Sequence, residues 1–300
     1  MVSDTDLECY RKAGRIVGQT RKVVPGLVRE GIKIIDICEK IENMIVQSGG
    51  KPAFPCNVDV NDVAAHYTSP FGDTSRVPKG SIVKVDFGAH VNGFIADSAV
   101  TVSLSPVLAP MISVAEEALR KALEIVRPGV RTPDVGALIQ ETIEKRGFRP
   151  IWNLTGHVID RYIVHTGESI PNVGRMSGGK FKEGQVCALE PFVTSMSAKG
   201  EVRDSDKAYI FRFSKRKGPT SQEGKRLIAL VEERFRTLPF ARRWLAGLDS
   251  FESVESAFDE LIRSKSVLGY PVLVERSGAL VAQAEHTVLI TNDGCENLTA

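Results

Sequence analysis

The sequence lacks the features that mark a secreted, disulfide-bonded or membrane-spanning protein. Its five cysteines are scattered, with neither CxxC spacing nor the density of a disulfide-rich domain. No apolar run approaches the roughly 20 residues that cross a bilayer. The first residues, MVSDTD, are acidic and polar, unlike a secretory signal or transit peptide. We therefore expect a cytoplasmic protein that does not bind membranes.

The sequence also lacks an excess of charge of one sign. The net charge is +2 over 300 residues, 25% of which are charged, and the isoelectric point is near 8.2. This balance predicts no polyanion-binding face and no sequence-specific nucleic-acid binding. The basic run at residues 212–217 is interpreted as a solvated loop, with contact to ribosomal RNA as the alternative. A chain of this length can bury a sizeable core.

Residues 82–102, IVKVDFGAHVNGFIADSAVTV, are predicted to form a β-hairpin with a carboxylate on each arm. Asn92-Gly93 favours a tight turn in which both central residues have positive φ. That turn places Asp86 opposite Ala99, so Asp97 is its diagonal neighbour on the same face. Two carboxylates so close repel each other unless a cation lies between them. A divalent metal pair is one explanation; an aspartate in a turn and another on an exposed strand face is the other.

Residues 129–150 repeat residues 31–52 at an offset of 98 positions. Ten of 22 positions are identical or conservative, among them the pairs Gly31/Gly129, Asp36/Asp134, Ile41/Ile139, Ile45/Ile143, Gly49/Gly147 and Pro52/Pro150. Helices are predicted over residues 6–24, 34–48, 112–126 and 133–146, the last with Thr132 as N-cap. We expect an α/β (α+β) fold in which duplicated helix-helix-strand units form two pseudo-symmetric halves around a central sheet.

The later part of the chain predicts two more strands and a helical insertion. Residues 185–194 and 279–291 are each predicted to be one strand, the first carrying Glu190 and the second Glu285. Between them, helical patterns at 221–236, 240–246 and 252–264 interrupt the β/α framework. The expected division is a catalytic domain of residues 1–205 and 268–300, with an insertion at 206–267.

Four acidic residues therefore lie within apolar strands, where carboxylates are rare unless they are paired or bind metal. They are Asp86, Asp97, Glu190 and Glu285. With His157, which follows Thr-Gly, they would hold two divalent cations a few ångströms apart. Such an oxygen-rich site favours Mn, Fe, Co or Zn over metals that prefer thiolates. Spacing alone cannot assemble residues spread over about 200 positions, so the metal site at this point stays a hypothesis.

The order and spacing of the motifs resemble the methionine aminopeptidases of the second type, close to the short archaeal form, over essentially the whole chain. The matching landmarks are Ala65-His66-Tyr67, Val85-Asp86-Phe87-Gly88, Asp97, Thr155-Gly156-His157, His165, Leu189-Glu190-Pro191 and Gln283-Ala284-Glu285-His286-Thr287. The resemblance implies the pita-bread fold, a pseudo-two-fold α/β domain with a mostly antiparallel sheet. The helical block resembles the insertion that distinguishes the second type from the first.

The same resemblance implies a role for each matching residue. Asp86 would be a terminal ligand of one metal, Asp97 and Glu285 would bridge both metals, and His157 and Glu190 would complete the other. Glu190 would also pass the proton of the nucleophilic water toward the departing amine. Two histidines, His66 and His165, would hold the scissile amide and take part in proton transfer as catalytic residues. The methionine side chain would be enclosed by Phe54, Val164, Phe192 and Tyr270.

Some residues depart from the family pattern or are given other roles. Ala284 stands where related enzymes have an aromatic residue, which predicts a wider pocket wall. His286 alternates away from Glu285 on its strand, so packing or hydrogen bonding is expected rather than metal ligation. His90, beside the hairpin turn, is expected to be solvated. Taken outside the motifs, His66 and His165 would more often be structural.

The expected function is removal of the initiator methionine from nascent chains when the second residue is small and uncharged. The expected cofactor is a pair of divalent cations (Co, Mn, Fe(II) or Zn), and the expected partners are nascent N-termini and, transiently, the ribosome, for a monomeric protein. An X-Pro aminopeptidase of the same fold is the alternative enzyme, although such proteins usually carry an extra N-terminal domain. A non-catalytic RNA- or ribosome-binding homologue is the other alternative, although such proteins have lost ligands.

Overall fold

The computed structural model describes residues 3–248 and 253–300. Its helices and strands come in runs along the chain, with helices followed by several strands in each half, as the duplicated helix-helix-strand pattern predicts. The α-helices are α1 (Asp4–Arg21), α2 (Val24–Leu27), α3 (Ile34–Gln47), α4 (Ala109–Ile125), α5 (Thr132–Lys145), α6 (Gln222–Phe235) and α7 (Val254–Arg263). Two short 3₁₀ segments cover Pro106–Leu108 and Arg242–Leu245. Among the described residues, no helix is both long and apolar enough to span a membrane.

Within residues 3–248 and 253–300 the strands form four sheets, and every pairing in them is antiparallel. The order of strands is β1-β4-β2 with β5 on β4, then β14-β10-β6, β12-β11-β13-β3 and β16-β15-β9-β7-β8. The strands are β1 (Lys51–Pro52), β2 (Asn57–Val60), β3 (Val63–Ala65), β4 (Ile82–Val91), β5 (Phe94–Ser103), β6 (Phe148–Pro150), β7 (Thr155–Ile159), β8 (Ser169–Pro171), β9 (Val186–Leu189), β10 (Phe192–Ser195), β11 (Val202–Phe213), β12 (Phe240–Ala241), β13 (Val267–Glu275), β14 (Val281–Gln283), β15 (His286–Ile290) and β16 (Cys295–Asn297).

The internal repeat is confirmed in three dimensions. Helix α3 begins and ends 98 positions before helix α5. The glycines that precede these helices, Gly31 and Gly129, both have positive φ, at 76° and 86°. Each helix packs its apolar face on the strands of its own half, because the buried residues recur at helical spacing in both. The two halves therefore share one plan.

The start of α5 corrects one sequence expectation. The N-cap is Arg131, and Thr132 is already helical, so Thr132 does not cap the helix. Its buried hydroxyl has no hydrogen-bond partner among the described residues.

The first helix was expected to reach residue 24. It ends at Arg21, and a separate short helix begins at Val24.

The β4–β5 hairpin has the predicted register. Asn92 and Gly93 both have positive φ, at 54° and 91°, as a primed turn requires. Asp86 pairs with Ala99 and Gly88 pairs with Asp97. The two aspartates are therefore diagonal neighbours on one face of the hairpin.

The two later strands were expected to be continuous, and this expectation was wrong. Residues 185–194 contain β9 and β10, which belong to different sheets and are separated by Glu190 and Pro191. Residues 279–291 likewise contain β14 and β15, separated by Ala284 and Glu285. Pro191 cannot donate a ladder hydrogen bond, which favours an interruption there. The two interruptions lie side by side, because Ala284 N donates to Pro191 O at 3.2 Å.

The insertion builds its own apolar core on the paired strands β11 and β13. Leu227, Val231, Phe240, Phe258 and Leu261 are fully buried in this cluster. Residues 240–246 were expected to be helical but form β12 and a 3₁₀ segment. The expected helix 252–264 begins at a residue outside the described ranges, and its described part contains α7. The division of the chain into a catalytic domain and an insertion at residues 206–267 stays a prediction. Its first boundary lies inside β11 and its second at the start of β13.

Candidate metal centre

The hairpin supplies two aspartates whose neighbours hold them in place. Asn57 on the adjacent strand β2 donates from Nδ2 to Asp86 Oδ2 at 3.3 Å. Asp97 is held through its backbone, because its N donates to Thr287 Oγ1 and its carbonyl accepts from the same hydroxyl, both at 2.7 Å. These contacts position Asp97 without occupying its carboxylate. Both aspartates keep one buried Oδ1 that has no hydrogen-bond partner among the described residues.

The two glutamates lie at the interruptions between strands. Because each interruption frees its backbone from the ladder, Glu190 and Glu285 can both reach the space above the hairpin face. Gln283 Nε2 lies 3.3 Å from Glu190 Oε2 and 3.4 Å from Glu285 Oε2, so one amide orients both carboxylates. Asn172 Nδ2 donates to the backbone carbonyl of Glu190 at 3.0 Å. The glutamate pair is thus fixed by two neutral amides.

His157 on β7 faces the carboxylates from the second half. Its Nε2 lies 3.6 Å from Asp97 Oδ2 and 3.5 Å from Glu190 Oε1. These separations are too long for good hydrogen bonds. They match two ligand atoms on one cation, because atoms about 2.1 Å from a tetrahedral metal are about 3.4 Å apart. Ligand atoms of Asp97, His157 and Glu285 all lie within 4.8 Å of one another.

The electrostatics of the cluster require a compensating positive charge. Burial raises the pKa of Asp86 to about 7. Burial, and then repulsion from the neighbouring carboxylates, raises the pKa values of Asp97, Glu190 and Glu285 well above their usual range. Burial also lowers the pKa of His157 far below its usual value, which keeps the imidazole neutral. Ionised carboxylates and a neutral imidazole are the forms that ligate metals, so these residues fit divalent cations.

The carboxylates open into a cavity of about 220 Å³ between the two halves and the β11–β13 sheet. All eleven residues singled out from the sequence line it: Phe54, His66, Asp86, Asp97, His157, Val164, His165, Glu190, Phe192, Tyr270 and Glu285. The aromatic and aliphatic members form an apolar wall beside the carboxylates. The structure therefore brings together residues that are up to about 230 positions apart in the chain.

Two further histidines, His66 and His165, line the cavity. His66 has a positive φ of 70°, an unusual backbone for a non-glycine residue. Its Nδ1 lies 3.1 Å from the carbonyl of Pro271, so Nδ1 carries the proton and Nε2 is the acceptor nitrogen. Burial lowers the pKa of His66, which favours the neutral ring. The His165 ring lies 4.2 Å from the His157 ring, and the His66 ring 5.6 Å from the Tyr270 ring.

Three sequence expectations about neighbouring residues can be compared with the structure. Ala284 does not widen the pocket wall: its side chain is buried in the core cluster that also contains Leu119, and it is not among the residues that line the cavity. His90 is not solvated but buried, where its Nδ1 accepts from Gly93 N at 3.1 Å. His286 hydrogen-bonds Thr299 Oγ1 at 2.8 Å, as the expected non-ligand role requires.

Sequence reasoning missed several cavity residues. Asn57 was not singled out, because no pattern in the sequence predicted that β2 pairs with β4. That pairing places Asn57 opposite Asp86. Strands β11 and β13 contribute Ile210 and Leu273, and the loop after α6 contributes Pro239. Ile210 and Leu273 lie on strands that are far apart in the chain and pair with each other. No local signal predicted them.

A buried cluster of four carboxylates and one imidazole, open to an apolar cavity, defines a divalent-metal-dependent hydrolase. The model of metallopeptidase family M24 matches residues 8–292. The chain is 43% identical over 296 residues to a methionine aminopeptidase of Methanothermobacter thermautotrophicus, covering 98% of both chains. It is 39% identical to the methionine aminopeptidase of Methanocaldococcus jannaschii, covering 98% of this chain and 99% of that one. The protein therefore belongs to metallopeptidase family M24.

Solved structures of the same fold agree. A thermophilic Arx1 superposes with a TM-score of 0.82 at 19% identity, covering 99% of this chain and 91% of that one. A methionine aminopeptidase from Rickettsia prowazekii superposes with a TM-score of 0.71 at 22% identity, covering 99% and 98%. A prolidase from Pyrococcus furiosus gives 0.63 at 17% identity, covering 99% of this chain and 64% of that one. At these identities the similarity shows the fold alone, which is the pita-bread fold that the sequence predicts.

Proposed function

We propose that this protein removes the initiator methionine from nascent polypeptides when the second residue is small and uncharged. The observation that carries the proposal is the convergence of the four carboxylates and His157 on one apolar cavity. The proposal agrees with the methionine aminopeptidases that the chain resembles at 34–43% identity along nearly its whole length.

The cofactor is a pair of divalent cations, Co, Mn, Fe(II) or Zn. Five residues would hold the cations: Asp86 would bind one of them, His157 and Glu190 the other, and Asp97 and Glu285 would be shared by both. When bound, the cations supply the charge that makes a water nucleophilic near neutral pH and that stabilises the developing oxyanion. Support comes from the unpartnered carboxylate oxygens and from separations that suit shared ligation.

The protein's own residues handle the protons and the scissile amide. Glu190 takes the proton of the attacking water and delivers it to the departing amine. Its carboxylate is suited to this role because it borders the cavity and because Gln283 fixes its orientation. His66 accepts a hydrogen bond at Nε2, since its Nδ1–H is committed to Pro271. Together with His165 it holds the amide in position for attack.

Selectivity for methionine follows from the apolar wall. Phe54, Val164, Phe192 and Tyr270 enclose an unbranched thioether side chain, and Phe54, Val164 and Phe192 are themselves almost fully buried. Buried, well-packed side chains resist displacement, so a larger first residue is excluded. The requirement for a small and uncharged second residue is what the resemblance to the methionine aminopeptidases implies.

The substrate class defines the setting in which the protein acts. We infer a cytoplasmic, monomeric enzyme that meets nascent N-termini and contacts the ribosome transiently. Residues 206–267 form the insertion of this single catalytic body. Support for the insertion comes from its own apolar core on strands β11 and β13.

Metal-reconstituted peptide hydrolysis tests the proposal. With Co(II) or Mn(II), wild-type protein is expected to release methionine from Met-Ala-Ser peptides, whereas His157→Ala and Glu190→Gln are expected to lose at least about 100-fold in kcat/KM. An Ala-Pro substrate is the control for the X-Pro alternative and is expected to react poorly. Absence of methionine release in every metal would contradict the proposal, and so would preferential cleavage of Ala-Pro.

A further inference from the structure

A buried ion pair connects the insertion to the helix behind the cavity. Arg243, in the 3₁₀ segment Arg242–Leu245, contacts Glu42 of α3 through Nη2. The two side chains are only 5% and 11% exposed. Trp244 Nε1 donates to the second oxygen of the same carboxylate at 2.8 Å. Consecutive residues of the insertion thus hold both oxygens of one buried glutamate.

The Glu42–Arg243 pair also binds the backbone on both sides of Cys56. Glu42 Oε1 accepts from Cys56 N at 3.0 Å. Arg243 Nη1 donates to Thr68 Oγ1 at 2.8 Å, and that hydroxyl donates to Cys56 O at 2.7 Å. Arg243 Nη1 further donates to Ser69 O at 3.1 Å. One arginine therefore joins two separate backbone segments, residues 54–57 and 66–69.

Both segments carry residues of the cavity. Phe54 and Asn57, which flank Cys56, line it, and Asn57 donates to Asp86. His66 begins the second segment and also lines the cavity. A displacement of the segment around Cys56 would therefore move a carboxylate's hydrogen-bond donor and part of the apolar wall together.

We propose that Arg243 and Glu42 are positioning residues, through which the insertion holds segments 54–57 and 66–69 in the geometry that the reaction needs. The inference rests on the proposed peptidase function. Removing either partner leaves the other as an uncompensated buried charge, which disturbs the surrounding backbone. Catalysis is sensitive to such shifts, because a displacement of about 1 Å far from the reacting atoms can cost about 100-fold in rate.

The neighbouring Arg242 offers a matched control. It has the same side chain in the same 3₁₀ segment, but its ion pairs, to Asp259 Oδ1 at 3.4 Å and to Glu255 Oε1 at 3.8 Å, stay within the insertion. At a temperature where every variant is folded, Arg243→Met is expected to lower kcat/KM for a Met-Ala-Ser peptide by about 10–100-fold. Arg242→Met is expected to stay within about twofold of wild type, because exposed pairs contribute little.

A milder variant, Trp244→Phe, tests the inference even if Arg243→Met fails to fold. Trp244→Phe removes one hydrogen bond to Glu42 and keeps an aromatic ring in place, so we expect a loss of about three- to tenfold. Combining Glu42→Gln with Arg243→Met is expected to cost less than the product of the single losses, since both act through one pair. Equal losses for Arg242→Met and Arg243→Met would overturn the inference.

Amide hydrogen exchange at Cys56 separates this inference from the proposed function, since it needs no turnover. Its N–H donates to Glu42, so exchange is expected to accelerate by about tenfold or more in Arg243→Met and in Trp244→Phe but not in Arg242→Met. Unchanged exchange would overturn the inference even if the wild type is active. Accelerated exchange with unaltered kcat/KM would overturn the positioning role. A wild type that releases no methionine while the exchange pattern holds would contradict the proposed function alone.

Discussion

The two pairs of carboxylates at the metal centre are presented by different kinds of backbone. Asp86 and Asp97 project from an unbroken, fully paired hairpin. Glu190 and Glu285 project from interruptions, where the chain leaves one sheet and enters another. A paired strand fixes the direction of a side chain, so a short aspartate suffices there. An interruption does not fix the side-chain direction in this way, and the extra methylene of glutamate lets its carboxylate extend further toward the metal site.

The two regions are connected through groups other than the carboxylates themselves. Thr287, on the strand after Glu285, exchanges two hydrogen bonds with the backbone of Asp97. Ser98 Oγ donates to the backbone carbonyl of Glu285 at 2.5 Å. Because these connecting groups bond to backbone atoms of Asp97 and Glu285, the carboxylate oxygens remain available to cations. These hydrogen bonds between the two regions explain how carboxylates that repel each other are kept together in the folded protein.

The largest expected effect tests whether both regions hold the metals. Asp97→Asn in the hairpin and Glu285→Gln at the interruption preserve side-chain shape but remove a carboxylate charge. Each is expected to lower kcat/KM by about 1,000-fold, or about 4 kcal/mol, and to reduce the metal bound per chain. Peptide hydrolysis and calorimetric metal titration measure the two effects.

A carboxylate far from the cavity provides the control for both variants. Glu141 on α5 forms an exposed ion pair with Lys145, so Glu141→Gln is expected to be fully active. Loss of activity in Asp97→Asn alone would show that the hairpin holds the metals without the interrupted strands.

The second prediction concerns the rigidity of the hairpin. A Cβ on Gly93 would lie 2.3 Å from Cε2 of Tyr162, in a backbone with φ of 91°. Gly93→Ala is therefore expected to lower the free energy of unfolding by about 3 kcal/mol, from backbone strain and displacement of a ring. Gly80 has φ of 68° and no heavy atom within 4 Å of its Cβ position. Gly80→Ala should then cost about 1 kcal/mol from strain alone.

Denaturant unfolding of the metal-loaded protein measures the difference between these glycines. Equal losses for the two variants would mean that the Tyr162 ring moves aside freely. The hairpin would then be less rigid than its pairing suggests.

The same contrast shows what sequence could and could not predict. The hairpin register followed from Asn92-Gly93 between two runs rich in β-branched residues, because both are local properties. The two helices that repeat 98 positions apart followed from the glycines that flank them and from the helical spacing of their apolar residues. The breaks at Glu190 and Glu285 did not, since an apolar run predicts one strand and the switch between sheets depends on distant partners. The motif resemblance supplied the grouping of these residues, which spacing alone could not.

The buried environment of His90 was missed for a related reason. A histidine beside a turn is usually exposed, but here Tyr162 and the region before Pro239 cover the hairpin end. Local pattern carries no information about a covering segment from elsewhere in the chain. Burial of an imidazole has a measurable consequence, because it changes the pKa.

The smallest expected effect is therefore a pH dependence that belongs to the hairpin. Burial first, and then the nearby positive charges of Lys51 and Arg236, lower the pKa of His90 to about 4, against 6.5 for an exposed histidine. A lowered pKa means that the unfolded chain takes up the proton first, so stability is present above pH 6.5 and is lost as the pH falls toward 4. Between pH 7 and 4.5 the loss from this residue is about 2 kcal/mol.

His90→Asn isolates that contribution, because its amide oxygen can still accept from Gly93 N while the side chain no longer titrates. The free energy of unfolding is measured at pH 7 and 4.5 for both proteins. The decrease is expected to be about 2 kcal/mol smaller in the variant. The carboxyls of the metal site also titrate in this range, and their raised pKa values favour the folded state at low pH. Their contribution is the same in both proteins, so it cancels when the two decreases are subtracted. An identical decrease in both proteins would show that His90 is reached by water, and that the end of the hairpin is open in solution.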